Sequence, residues 1–209
     1  LKMSFIIFDT EYTTWEGCLQ NGWTNGKKKE IVQLSALKVS ENFEVIAQFD
    51  RVCKPTVNPI LSEYFVNLTG ITNEYIQKNG VTFSELYADF KTFVNGDICC
   101  SHSWGQKFTD KSDGEVMAEN LQINNLPQDE SFVFCNLAEI FKELYQKHNI
   151  NVNKQSSGEI VKILKLEDKI AGLNLDVHNA LYDVYSLLEG LKFFKTEAVE
   201  LLKNKMKAL

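Results

Sequence analysis

The chain has 209 residues, 44% of them hydrophobic and 24% charged, which suits one globular domain over residues 1–209 with a full-sized core. No run approaches the ~18 apolar residues that span a bilayer. The formal net charge of −6 argues against a surface that broadly coats nucleic acid, though not against a site holding a few terminal nucleotides with the help of cations. The N-terminal stretch lacks the basic region, apolar core and small-residue cleavage site of a secretory signal. Five cysteines form an odd set with no C-x-x-C pair, so a reduced, cytoplasmic protein is expected.

In chain order, SFIIFD (4–9) has the apolar, β-rich composition of a buried strand. NGWTNGKKK (21–29) is turn-rich. EIVQLSALKV (30–39) alternates with period two, and EVIAQFDRVCKP (44–55) follows as its neighbour, giving a three-stranded meander. ILSEYFVNLTGIT places Ile60, Leu61, Phe65 and Leu68 near helical spacing before Gly70. TFSELYADFKTFVNG reads as a helix capped by Thr82 or Ser84 and stopped by Gly96. DICCSHSW (97–104) and SFVFCN (131–136) read as the fourth and fifth strands, with a helix over 113–123 between them. LAEIFKELYQK, SGEIVKILKL and NALYDVYSLLEGLKFF are helical patterns, and one further helix closes the chain. Strands first, then strand–helix alternation, predict an α/β fold with a mixed five-stranded sheet between helices.

Asp9 and Glu11 stand two apart at the end of the first strand, so their side chains share a face, roughly 6.5–7 Å apart. Two such carboxylates repel unless protons or cations lie between them, and hard divalent ions such as Mg²⁺ or Mn²⁺ suit oxygen ligands. The plainer alternative leaves Glu11 beyond the strand end, in water. In LDVHNALYDVYS (175–186), His178 and Asp183 are five apart, about 140° around a helix, and cannot share a helical face. If Asn179 caps the helix, His178 falls in the preceding loop and Asp183 projects from the first turn. Asp183 could also merely complement the helix dipole.

D-x-E on the first strand, a later aspartate, and H-x-x-x-x-D opening a C-terminal helix together resemble the DEDDh 3′–5′ exonucleases, a family with a ribonuclease H-like fold. FDTEYTTWEG, LSEYFVNLTGIT, SWG and HNALYD are most similar to the Eri-type branch, which trims RNA 3′ ends. The resemblance spans residues 4 to about 195. It implies two-metal hydrolysis of single-stranded nucleic acid from the 3′ end, with two Mg²⁺ or Mn²⁺ ions per site and RNA favoured over DNA. It further implies that Asp9 bridges both ions, that Glu11 and Asp183 hold the ion on the water side, and that His178 is the general base. The second-motif aspartate is displaced: Asp113 fits the family's spacing if residues are inserted after Gly105, and Asp110 is the alternative. Tyr64 aligns with a base-stacking position, Trp104 could stack on a base or pack in the core, and the backbone of Thr10 could meet the terminal ribose.

Lys27, Lys28 and Lys29 either touch phosphates or form a solvated loop tip. Three other readings compete: an inactive exonuclease-like module that binds nucleic-acid ends, a proofreading-type DNA exonuclease, and a carboxylate-pair glycosidase. The last leaves His178 and Asp183 unexplained.

Overall fold

The computed structural model describes residues 4–102, 112–129, 131–152 and 156–207. Trp104 and Asp110 lie outside the described residues. Strands β1 (Ser4–Tyr12), β2 (Ile31–Ser40) and β3 (Val45–Val52) form the antiparallel meander. β4 (Ile98–Ser101) and β5 (Phe134–Asn136) add to the other edge in parallel, in the order β3-β2-β1-β4-β5. The mixed five-stranded sheet is the one expected, although β4 and β5 are shorter than their apolar runs.

Alternation along β1 divides the core in two. Phe5 and Ile7 face a layer made by α6 (Leu137–Lys147), α8 (Ala180–Phe194) and α9 (Thr196–Lys207). Ile6 and Phe8 face α4 (Phe83–Val94) and α5 (Ser112–Ile123). Each layer buries a near-continuous apolar stripe, and that burial is the main force holding helices to sheet. Gly190 on α8 lets Phe141 and Ile160 approach closely; a Cβ there would lie 2.8 Å from the Phe141 ring.

Smaller elements complete the chain: α1 (Cys18–Asn21), α2 (Glu63–Thr69), α3 (Asn73–Asn79) and α7 (Ile160–Ile163). The expected helix near residue 60 begins only at Glu63, where the Ser62 hydroxyl caps Phe65 N–H. Thr82, not Ser84, caps α4, with Glu85 completing a reciprocal capping box. The run SGEIVKILKL is not one helix: a 3₁₀ turn (Ser157–Glu159) leads into the single turn of α7, which ends where Lys165 turns left-handed at φ 56°. No helix among the described residues is long and apolar enough to cross a membrane. The five cysteines are buried and form no disulfide among the described residues.

The segment joining β1 to β2 is braced from several sides. Glu30 is almost fully buried, and its carboxylate accepts from the backbone N–H groups of Thr56, Val57 and Asn58. The Thr13 hydroxyl donates to Lys28 O, the Trp23 indole to Thr13 O, and the Asn120 amide of α5 to Lys29 O. Ser62 Oγ donates to Thr14 O, bringing the start of α2 against the same segment.

Candidate active site

The acids collect where β1 runs on past its pairing with β4 while still paired with β2. Asp9 and Glu11 continue the Phe5–Ile7 face, and so point at the layer containing α8. Helix α8 begins at Ala180 because the Asn179 side chain accepts from Leu181 N–H, as the sequence suggests, while Gln33 Oε1 accepts from Ala180 N–H. His178 therefore sits in the loop before the helix, held at φ 69°, a backbone region rarely used by non-glycine residues. Asp183 projects from the first turn and is 3% exposed. Ligand atoms of Glu11, His178 and Asp183 all lie within 4.8 Å of one another.

The fourth acid arrives from the opposite layer. Thr10 points to the α5 side of β1, and its hydroxyl donates to Asp113 Oδ1 at 3.1 Å. Ser101, at the end of β4, also hydrogen-bonds to Asp113. The charge of Asp113 acts on both Asp9 and Glu11, while the other candidate, Asp110, lies outside the described residues. The side chain of Thr10 has a role the sequence reading missed, since only its backbone was considered.

Ser157 was missed altogether. Its hydroxyl lies 2.8 Å from Asp183 Oδ2 and 3.3 Å from Asp9 Oδ1, linking carboxylates from a strand and a helix. Its neighbour Gly158 packs against Asp183 so closely that a Cβ would overlap Oδ1 and lie 2.8 Å from Val177 Cγ1. Ser186 fixes this turn by donating to Ser157 O at 2.7 Å.

Electrostatics follow from this crowding. Burial, then the charges of Asp183, Glu11 and Asp113, hold the Asp9 carboxyl well above its ordinary range; Ser157 opposes the shift. Glu11 is raised by burial, Asp183 and Asp113. Burial raises Asp113, against hydrogen bonds from Ser101 and Thr10. Burial also pushes Asp183 up to about 7, against Ser157 and the nearby N–H groups of His178 and Gly158. Among the described residues, neither N–H nor any other group closes a well-aligned bond to the buried Asp183 Oδ1. A buried orphan carboxylate oxygen, within reach of Glu11 and His178 and amid mutually repelling acids, fits a hard divalent cation. His178 is shifted downward, mainly by burial, so it is neutral at neutral pH.

The raised acids give a prediction for the metal-free protein. Their folded forms bind protons that the unfolded chain releases above its ordinary carboxyl pKa of 3.8. This contribution to stability is complete below that value and lost as pH rises through about 7, the value for Asp183. The melting temperature measured in chelator therefore falls between pH 5 and 8, and Mn²⁺ restores it at the upper end. A second prediction concerns the helix start. Asn179→Ala removes the cap and costs about 1 kcal/mol, seen as a melting temperature lower by about 2–4 °C.

Carboxylates from β1, α5 and α8 and a loop histidine thus gather near the end of the first strand of a mixed five-stranded sheet. Consistent with this, the family model RNase_T, described as an exonuclease, matches residues 6–191. The chain belongs to this exonuclease family. A search of curated proteins finds no match. Among solved structures, the fold is similar to cell-death related nuclease 4, with a TM-score of 0.69 and 16% identity over 91% of this chain and 63% of that one. It is also similar to the nuclease domain of 3′hExo, described as a DEDDh family member bound to rAMP, with a TM-score of 0.64 and 16% identity over 97% and 93%. E. coli exonuclease I in complex with an oligonucleotide gives a TM-score of 0.66 and 17% identity over 98% and 43%. The chain thus spans less than two thirds of the first and third of these proteins.

Proposed function

We propose that this chain is a cytoplasmic, metal-dependent 3′–5′ exonuclease of the DEDDh, Eri-type kind. In this reading it acts as a single domain on single-stranded 3′ ends, prefers RNA to DNA, and releases nucleoside 5′-monophosphates. What supports the reading is that the charges of Asp183, Glu11 and Asp113 all act on buried Asp9, while ligand atoms of Glu11, His178 and Asp183 lie within 4.8 Å of one another.

Asp9, Glu11, Asp183 and Asp113 would hold two Mg²⁺ or Mn²⁺ ions. When bound, such ions make water a better nucleophile and offset negative charge on the phosphate. Ser157 and Thr10 fix the carboxylate rotamers that the ions need. His178 accepts the proton of the attacking water, and its partly buried ring keeps it in the neutral form this requires. Tyr64, on α2 and 37% exposed, offers a ring to a base near the 3′ end. In this reading the backbone of Thr10 meets the terminal ribose. Trp104 keeps its proposed contact with a base on sequence grounds alone.

His178→Asn is expected to lower kcat by about 10²–10⁴-fold, the usual contribution of a general base. The acid limb of the pH–rate profile, below pH ~6.5 in the parent, disappears with it. The reading as a whole is tested with matched 3′- and 5′-labelled RNA and DNA strands in Mn²⁺ and in chelator. 5′-labelled strands should shorten stepwise, 3′-labelled strands should release labelled mononucleotide at once, RNA should turn over faster, and chelator should stop the reaction. No cleavage of either strand in Mn²⁺ or Mg²⁺ would make the chain an end-binding module instead. The displaced second-motif aspartate is the sequence feature that favours that module.

A further inference from the structure

We propose that the segment joining β1 to β2 is a pre-organised, lysine-bearing ledge that grips the phosphates of the single strand leading into the acid cluster. The proposal rests on the exonuclease reading above and extends it beyond the scissile linkage. Lys29 Nζ lies over two rings at once, 4.7 Å from the Trp23 centroid and 5.7 Å from that of Tyr12. Lys27 Nζ lies 5.0 Å over Trp15. Among the described residues, Lys27, Lys28 and Lys29 form no ion pair with a carboxylate. A chain with a net charge of −6 thus sets three lysines and only Glu16 among residues 12–29.

The ledge adjoins the site. Tyr12 directly follows Glu11 at the end of β1. Lys29 is therefore one aromatic ring away from the acids. The backbone beneath is fixed by the Thr13, Trp23, Asn120 and Glu30 hydrogen bonds already described. An ammonium resting on a ring face keeps its N–H donors for other partners while its long side chain has already lost much of its rotamer freedom. Ordering the lysines in advance lowers the entropic cost of binding a phosphate. The same acids that gather cations repel a polyanion, so positive groups at their margin are what an approaching strand requires.

The test is fluorescence-anisotropy binding of single-stranded RNA and DNA 12-mers whose 3′ linkage is a hydrolysis-resistant phosphorothioate, followed across salt concentration. Three variants are compared with wild type: Lys27→Gln/Lys29→Gln, Lys27→Arg/Lys29→Arg, and a charge-matched pair on the far layer, Lys142→Gln/Lys207→Gln. The first should weaken binding about tenfold and flatten the log Kd against log[salt] slope by about 1.4, near 0.7 for each phosphate contact. The arginine pair and the far-layer pair should keep the wild-type slope. An unchanged slope in Lys27→Gln/Lys29→Gln, or an equal loss in the far-layer pair, overturns the ledge even if the wild type degrades RNA. Binding that shows the expected slope changes in a protein that cleaves nothing in Mn²⁺ supports the ledge and overturns the exonuclease reading instead.

Discussion

Asp9→Asn should reduce hydrolysis by at least about a thousandfold, about 4 kcal/mol of transition-state stabilisation, while the protein stays folded. Asp9 is the carboxylate on which the other charges converge: Asp183, Glu11 and Asp113 all raise it, and Ser157 alone opposes them. The amide keeps the shape of the side chain and a hydrogen-bonding oxygen but abolishes the charge that a metal ligand supplies. Because a buried like charge has gone, the metal-free variant should melt higher than the parent at pH 8, by about 2–4 °C for each kcal/mol of relief. Mn²⁺ should raise the melting temperature of the parent and leave that of the variant nearly unmoved. Thermal melts with and without Mn²⁺, beside a single-strand degradation assay, read all three effects. Parent-like turnover would sink the proposed role of Asp9.

Gly158→Ala should be nearly as damaging, although the residue carries no chemistry. The added methyl would occupy the place of Asp183 Oδ1 and press on Val177. The carboxylate must then swing away, abandoning Ser157 and its place beside Glu11 and His178. A displacement of about 1 Å at a reacting centre typically costs about a hundredfold in rate. Weaker stabilisation by Mn²⁺ in thermal melts should accompany that loss, which separates a displaced ligand from a general loss of fold. Unaltered Mn²⁺ response and turnover would show that Asp183 can move without consequence.

Much of this arrangement was legible in the sequence because it obeys local rules. The alternation of β1 put Asp9 and Glu11 on one face, and the five-residue interval between His178 and Asp183 made sense only with Asn179 as a cap. Both features appear as expected. Helix α3 was not read: two turns with one fully buried residue, Ile76, show no period to detect. α7 was read too long because its apolar residues keep helical spacing past Leu164, whereas Lys165 turns the backbone left-handed. Ser157 gave no signal, since it meets Asp9 across 148 positions of sequence. The contacts of Lys27 and Lys29 with Trp15 and Trp23 are likewise products of loop closure, and a run of three lysines is silent about which rings it will meet.

One feature of β1 reaches further than its length. Its odd-numbered residues serve one helical layer and its even-numbered residues the other, so Asp9 and Glu11 answer to α8 while Thr10 answers to α5 through Asp113. The centre is therefore a conjunction: both halves of the sandwich must be seated before four acids can meet. Loosening either half disarms the molecule while the other half stays intact. On warming, the capacity to cut should fade before the bulk of the helix melts, a built-in safeguard against a half-assembled nuclease.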